Sequence, residues 1–286
     1  MFIQLLDLEQ SGEGRFVAPL SPDKGARLYG GQYLAQGLHA AQATLEAGRR
    51  AHSLHGYFLR PGDVDQPLSL QVEKVRDGRS FATRQVVAEQ RGKTLFRMLA
   101  SFQVPVDTPR YVGRPMPDVP PPEAVSYTYD DFTLAQTGNT DWYGAARPME
   151  ILYINPPQAP RGEAITETQL MWMRIRGPLP ETPAVQQAAL AYLSDSTLVD
   201  HVMLPLGLRW QDEDFEGASL DHAMWFHDPV RADDWLLFAQ TVEATGHGRG
   251  LVRGRFYDRS GRLAATCVQE GLMRWRAGQA TLRAGE

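Results

Sequence analysis

The sequence predicts an α+β fold made of two similar halves. A segment near the front, Ala51–Pro61, recurs as Ser219–Pro229, and both copies place an aromatic pair before a proline. Both copies continue with strand patterns separated by glycine turns, in which Gly92 corresponds to Gly261 after a slip of one residue. Recurrence at such a long period indicates an internal duplication. One helical pattern per half, beside several alternating strands, favours an antiparallel sheet over the βαβ order of a parallel sheet.

The first half contains one helix followed by four strands. Leu34, Leu38, Ala41 and Leu45 recur at the spacing of one buried helix face, and Gly48 is a natural stop. The chain before this helix is predicted to be a short apolar segment and a loop. Alternating patterns then predict strands at about 53–59, 68–75, 80–89 and 94–103.

A proline-rich stretch separates the halves, including a run of three prolines at 120–122, and proline cannot donate the hydrogen bonds of a sheet. We therefore divide the chain into an N-terminal repeat at 1–105, a linker at 106–141 and a C-terminal repeat at 142–286. In the second repeat, Thr182-Pro183 is typical of a helix cap and first position. Strands are predicted at about 149–154, 167–176, 219–227, 235–245, 249–257 and 262–274.

Composition and charge narrow the class of protein. A chain of 286 residues with 43% hydrophobic content supports a packed globular core. The net charge of −5, without a dense run of Lys or Arg, argues against nucleic acid as a partner. The start of the chain does not resemble a signal peptide, and no apolar run approaches the roughly 18 residues of a membrane span. The single cysteine, Cys267, excludes an internal disulfide framework. We expect a cytoplasmic protein.

Three polar residues interrupt buried faces in the second half. Asp195 shares a helix face with Tyr192 and Val199, where an unpaired carboxylate is costly, so it either caps a helix break or takes part in catalysis. Gln269 lies on an otherwise apolar strand face and either bonds a neighbouring element or belongs to a site. Ser219 begins the repeated strand, where a hydroxyl also serves as a cap or turn residue.

Other common site types are not predicted. The segment Gly217–Asp221 lacks the closing glycine of a nucleophile elbow. His52 and His55 would point to opposite faces of a strand, as would His222 and His227, which argues against a metal site. Neither a dinucleotide-binding nor a phosphate-binding glycine motif precedes a helix. We predict no metal and no organic cofactor.

Eight segments carry a resemblance to a known family. In chain order they are YGGQYLAQGLHAA, HSLHGYFLRPGD, DGRSFATRQV, MLASFQ, YLSD, SLDHAMWFH, RGLVRGRFYDRSGRLAA and VQEGLMR. Together they resemble the acyl-CoA thioesterase II family over nearly the whole chain outside the linker. The resemblance implies a double hotdog fold: two tandem repeats, each with one long helix wrapped by an antiparallel β-sheet. It also implies hydrolysis of acyl-CoA to free fatty acid and coenzyme A.

The same resemblance implies a site formed by an aspartate, a hydroxyl residue and a glutamine. These positions fall on Asp195 in YLSD, on Ser219 before the DH pair, and on Gln269 in VQEG. Some relatives carry threonine at the second position; serine keeps the hydroxyl but loses the methyl that restricts its rotamer. Our hypothesis is that Asp195 accepts a proton from a water held by Ser219 and Gln269. Attack by the carboxylate itself, through an acyl-enzyme anhydride, is the rival mechanism.

Additional residues are candidates for binding the oxyanion or the substrate. Gly30 and Gly31 begin the first helix, where free N–H groups can bind an anion, although close packing also explains glycine there. His55 is a third candidate, because His55–Phe58 resembles the histidine-bearing segment of hotdog hydratases and dehydratases. An enoyl-thioester hydratase or dehydratase and a non-catalytic acyl-CoA-binding protein are therefore the alternative functions. We also expect a homodimer or larger homo-oligomer, because a sheet edge or face can pair again.

Overall fold

The structure, a computed structural model, describes residues 1–21, 27–137, 147–209 and 215–275. The helices within these ranges are α1 Phe2–Leu5, α2 Gly30–Ala43, α3 Tyr129–Thr137, α4 Pro183–Ser194 and α5 Leu198–His201. The strands of the first half are β1 Glu9–Gly12, β2 Arg15–Ala18, β3 Arg50–Phe58, β4 Leu68–Asp77, β5 Phe81–Gln90 and β6 Lys93–Gln103. Those of the second half are β7 Met149–Tyr153, β8 Gln169–Ile175, β9 Phe215–Ser219, β10 Asp221–Phe226, β11 Leu236–Gly246, β12 Arg249–Tyr257 and β13 Leu263–Trp275.

The strands form one sheet, in which equivalent strands follow in the same order on either side of the centre. The order is β1-β2-β4-β5-β6-β3-β10-β13-β12-β11-β8-β7, and β9 also pairs with β13. The two copies of the recurring segment become the central strands β3 and β10, which are antiparallel with Gly56 opposite His222. From this centre, β6, β5 and β4 follow on one side as β13, β12 and β11 follow on the other. The duplication in the sequence therefore appears as two equivalent halves of one sheet, joined through the repeated strand.

The two long helices pack against each other in opposite directions. At one end, the Tyr29 hydroxyl donates to the Tyr192 carbonyl at 2.8 Å. At the other end, Gln42 Nε2 donates to Gln187 Oε1 at 3.2 Å. The start of α2 consequently lies beside the end of α4, so the first N–H groups of one repeat meet the residue that follows the helix of the other.

The core fills the space between the sheet and these helices. Phe96, Met98, Ala100 and Phe102 alternate along β6 and are all buried, as the period of two predicts for a strand with one covered face. Each large apolar side chain buried in this way contributes about 1.5 to 3 kcal/mol. On β13 the same alternation buries Gln269 among apolar side chains, which makes this amide the exception on its face.

Several short elements differ from the prediction. The N-terminal loop contains α1 and the β1–β2 hairpin, whose second strand pairs with β4 at the sheet edge. The predicted linker at 106–141 contains α3, which begins after Thr128, whose N–H and hydroxyl both donate to Asp131 Oδ2. The proposed boundary at 141/142 lies outside the described residues, and the division of the chain stays a prediction. In the described parts of the chain, no helix has the length and hydropathy needed to cross a membrane.

Candidate active site

Gln269 links two other polar residues at the junction of the repeats. From the buried face of β13, its Nε2 donates to Asp195 Oδ1 at 3.0 Å and to Ser219 Oγ at 2.6 Å. Asp195 directly follows α4, and Ser219 ends β9, where it lies opposite Gly271 of β13. The structure thus brings together the three residues that interrupt apolar faces in the sequence.

The start of α2 closes this cluster from the other repeat. The Gly31 N–H donates to the Asp195 carboxylate, and a Cβ on Gly30 would lie 2.5 Å from Asp195 Oδ2. A Cβ on Gly31 would lie 2.4 Å from the Tyr192 carbonyl oxygen, so neither position has room for a side chain. The positive end of the α2 dipole also favours an anion here. The Gly31 N–H, predicted as an oxyanion donor, therefore has the Asp195 carboxylate as its partner.

His222 holds the far side of the Gln269 amide. Its Nδ1 lies 2.8 Å from Gln269 Oε1, and its Nε2 lies 2.9 Å from Ser194 Oγ. An ionised carboxylate only accepts hydrogen bonds, so Gln269 must turn its NH₂ toward Asp195 and its Oε1 toward a donor. This orientation requires the Nδ1–H form of His222, whose Nε2 then shares the single Ser194 hydroxyl proton with the Ala191 carbonyl. Burial lowers the pKa of His222 to about 4, which keeps the ring neutral at physiological pH.

Burial also dominates the electrostatics of Asp195. It raises the pKa of this carboxyl to about 7, against the opposing effects of the Gln269 and Gly31 hydrogen bonds and the nearby Arg147 charge. The desolvation of a carboxylate outweighs these partial compensations because the charged form loses its hydration. A carboxyl that titrates near neutrality inside a cluster of donors is typical of acid–base sites.

Two charged residues near Asp195, Arg147 and Asp200, were not predicted from the sequence. The Arg147 guanidinium lies over the Tyr29 ring, 4.7 Å from its centroid, and its charge acts on both Asp195 and Asp200. Burial raises the pKa of Asp200 to about 6, with Arg147 and Tyr129 opposing the shift. Arg147 follows the proline-rich stretch without any periodic pattern, so no sequence signal pointed to it.

His55 does not join this cluster. Its side chain is exposed, and its ring meets the Trp225 ring edge-on with centroids 5.1 Å apart. His55 lies opposite Ala223 on the central strand pair, whereas His222, one residue earlier, points inward. Because successive strand residues point to opposite faces, His55 lies on the face opposite to the one on which His222 bonds Gln269, and its assignment to substrate binding stays a prediction. Across the described ranges, no three His, Cys, Asp or Glu residues are arranged to hold a metal ion.

Comparisons with known proteins agree with this architecture. The family model for the acyl-CoA thioesterase N-terminal domain matches residues 18–103, and the family model for the C-terminal domain matches residues 118–273. The chain belongs to the acyl-CoA thioesterase family. This membership confirms the family resemblance and the predicted enzyme class, a thioester hydrolase.

Individual members of the acyl-CoA thioesterase family match over most of their length. Human acyl-coenzyme A thioesterase 8 is 38% identical over 281 residues, which cover 94% of this chain and 88% of that protein. The crystal structure of the acyl-CoA thioesterase II TesB2 from Mycobacterium marinum has a TM-score of 0.80 at 34% identity and covers 97% of this chain and 98% of its own. A hot dog fold protein from Alicyclobacillus acidocaldarius, at 23% identity, has a TM-score of 0.79, with 96% and 98% covered. These structures confirm the double hotdog fold.

Proposed function

We propose that this acyl-CoA thioesterase hydrolyses acyl-CoA to free fatty acid and coenzyme A, with Asp195 as the general base. The observation that carries the proposal is the buried group of Asp195, Ser219 and Gln269, joined by hydrogen bonds of 3.0 and 2.6 Å. The similarity to human acyl-coenzyme A thioesterase 8 supports the substrate class.

The hydrogen bonds suggest a role for each residue. Gln269 uses one amide proton for Asp195 and the other for Ser219, so the Ser219 hydroxyl still has its own proton to donate. We assign the reacting water a place between this hydroxyl and the Asp195 carboxylate. Gln269 then positions both groups, a refinement of the hypothesis in which it holds the water directly.

The chemical steps follow from that arrangement. Asp195 takes a proton as the water oxygen attacks the thioester carbonyl, and a tetrahedral oxyanion forms. The oxyanion collapses, the carbon–sulfur bond breaks, and the coenzyme A thiolate leaves as a thiol after it receives the proton from Asp195. The positive end of α2 favours the transient negative charge, with the Gly30 N–H as the candidate donor. A base that titrates near pH 7 suits this role because it is ionised at neutral pH and still able to hold a proton.

A thiol-release assay with a panel of acyl-CoA esters tests the proposed activity. We expect release by the wild type and at least about 10²-fold less by Asp195→Asn, since loss of a general base typically costs 10²- to 10⁴-fold. Conversion between enoyl and hydroxyacyl thioesters without thiol release would instead indicate a hydratase. Binding of acyl-CoA without any turnover would indicate a binding protein.

Oxygen-18 distinguishes water attack from an anhydride. In labelled water with enzyme in excess over substrate, direct attack places the label in the fatty acid alone. Label in the Asp195 carboxyl after a single turnover would contradict the general-base mechanism.

A further inference from the structure

We propose that Gln240 and His201 are positioning residues for Asp195, because they hold the turn that follows it. This inference rests on the proposed function of Asp195 as the general base. Gln240 bonds Ser196 and Thr197, the two residues that follow Asp195, and His201 bonds Gln240, so both act on Asp195 through the adjacent turn.

Thr197 makes this turn unusual. Its φ of 66° lies in the left-handed region, which a β-branched residue rarely adopts and which persists only where the surroundings enforce it. Thr197 is two residues beyond Asp195 and caps the start of α5. The helical path of α4 is therefore interrupted directly after the base, by a conformation that a β-branched residue does not favour by itself.

Gln240 enforces this conformation from the neighbouring strand β11. Its Nε2 donates to Thr197 Oγ1 at 2.6 Å and to the Ser196 carbonyl at 3.2 Å. The Thr197 hydroxyl in turn donates to the same Ser196 carbonyl at 2.6 Å. All three residues are buried, so none of these groups has water as an alternative partner.

His201 fixes the orientation of the Gln240 amide. Its Nδ1 is hydrogen-bonded to Gln240 Oε1, and burial lowers the pKa of His201 to about 4, so the neutral ring supplies Nδ1–H as the donor. With Oε1 engaged, the NH₂ of Gln240 can only face Thr197 and Ser196. The arrangement parallels the one around the carboxylate itself, where His222 orients Gln269. One histidine–glutamine pair thus holds the side chain of the base, and a second pair holds the turn of Ser196 and Thr197 that follows it.

Two variants separate positioning from mere structural support. Gln240→Leu removes both donors to the turn while keeping a buried side chain of similar size. Thr197→Gly removes the hydroxyl but accepts a φ of 66° without strain, so this variant should fold even if Gln240→Leu does not. Thr197→Ser keeps the hydroxyl and serves as the conservative variant. Val86→Ala controls for lost stability, because it creates a cavity at a buried position of β5 that is far from this turn in sequence.

The readouts are kcat, KM, the apparent pKa of the pH–rate profile, and Tm. We expect Gln240→Leu and Thr197→Gly to lower kcat at least about 10-fold with KM within about 2-fold, because a displaced base costs turnover more than binding. Both should also shift the apparent pKa. Thr197→Ser should have a kcat within about 3-fold of the wild-type value. Val86→Ala should have a lower Tm than the wild type and an unchanged pH–rate profile.

Two results would overturn the inference. One is a Gln240→Leu protein that loses Tm as Val86→Ala does yet keeps the wild-type kcat and pH–rate profile. The other is a Thr197→Gly protein with the wild-type kcat and pH–rate profile. This second result decides the question if Gln240→Leu is insoluble. The proposed function is tested separately, because retained turnover in Asp195→Asn, label in the Asp195 carboxyl or absence of thiol release by the wild type would contradict it whatever the Gln240 and Thr197 variants do.

Discussion

Gly30 lies so close to Asp195 that a Cβ at its position would stand 2.5 Å from the carboxylate Oδ2. The contact joins the start of α2 in one repeat to the candidate base of the other. We predict that Gly30→Ala lowers kcat at least about 10-fold, because the added methyl pushes the carboxylate away from Gln269 and misplacement of about 1 Å is costly. Thiol release under saturating substrate measures the effect.

The matched control for this substitution is Gly246→Ala. Gly246 ends β11, its φ is not in the left-handed region, and no heavy atom would lie within 4 Å of an added Cβ. We expect turnover to remain within about 2-fold, since exposed substitutions of this kind are close to neutral. Equal losses in the two alanine variants would contradict the steric explanation.

The wild-type pH–rate profile reports the state of the base. Because burial raises the pKa of Asp195 to about 7, we expect kcat to rise with pH through neutrality and to level off above it. The carboxyl is protonated below that range and cannot accept the proton of the water. A kcat that stays constant from pH 5 to pH 9 would exclude Asp195 as a base with this pKa.

Two substitutions at Ser219 test whether the hydroxyl is needed. Ser219→Ala removes the acceptor that Gln269 Nε2 reaches at 2.6 Å and the donor assigned to the water, so we expect about 10²-fold lower kcat. Ser219→Thr keeps both functions, and we expect kcat within about 3-fold of wild type, since a methyl mainly restricts the rotamer. Steady-state kinetics on both variants gives the comparison. A Ser219→Ala enzyme with normal kcat would leave the water without its proposed donor.

The strands and long helices were predictable because each has one covered face. Alternation along β6 and the helical spacing in α2 follow directly from that burial, and the predicted strands agree with the structure to within a few residues. The same logic exposed Asp195 and Gln269, since a polar residue on a buried face breaks the pattern. The side chains of the edge strand β1 are exposed, so it lacks such a face. Strand β2 buries Phe16 and Ala18, but its four residues are too few for a clear alternating pattern.

Partners of the site residues were not predictable in the same way. His222 and Gln240 each lie on a strand, and their role depends on a partner brought close by the fold: Gln269 for His222, and Thr197 for Gln240. A local pattern carries no information on contacts between positions 43 or more residues apart. His55 stays a candidate for substrate binding, and the motif resemblance did not specify that it lies on the exposed face of its strand.

Asp195→Asn should change the pH dependence of stability. The folded pKa of about 7 lies above the ordinary 3.8, so the folded state binds more protons than the unfolded state between these values. Stability contributed by this group is therefore present at pH 4 and lost as the pH rises to 7. A shift of about three pKa units corresponds to about 4 kcal/mol in the free energy of unfolding. Between pH 4 and pH 8, this is the most stability that Asp195→Asn can gain relative to the wild type.

Urea unfolding at these two pH values measures that difference. Asp200, whose pKa burial raises to about 6, is present in both proteins, so its own contribution largely cancels. The hydrogen bonds that asparagine cannot keep lower the stability of the variant at both pH values alike. An effect of the substitution that is equal at pH 4 and pH 8 would show that Asp195 does not titrate abnormally.

Gln269→Glu is the sharpest test of the amide because the two side chains have nearly the same shape. The new carboxylate would face Asp195 Oδ1 across the present 3.0 Å bond, where two buried negative charges cannot coexist. The pair would share a proton near neutral pH, and Ser219 would lose its donor. We expect kcat at pH 7 to fall at least about 10²-fold and the apparent pKa of the remaining activity to rise, as in like-charged carboxyl pairs.

Gln269→Leu removes the amide without adding charge, so its residual activity should keep the wild-type direction of pH dependence. If Gln269→Glu and Gln269→Leu had the same pH–rate profile, the direct contact between Gln269 and Asp195 would not govern the protonation of the base.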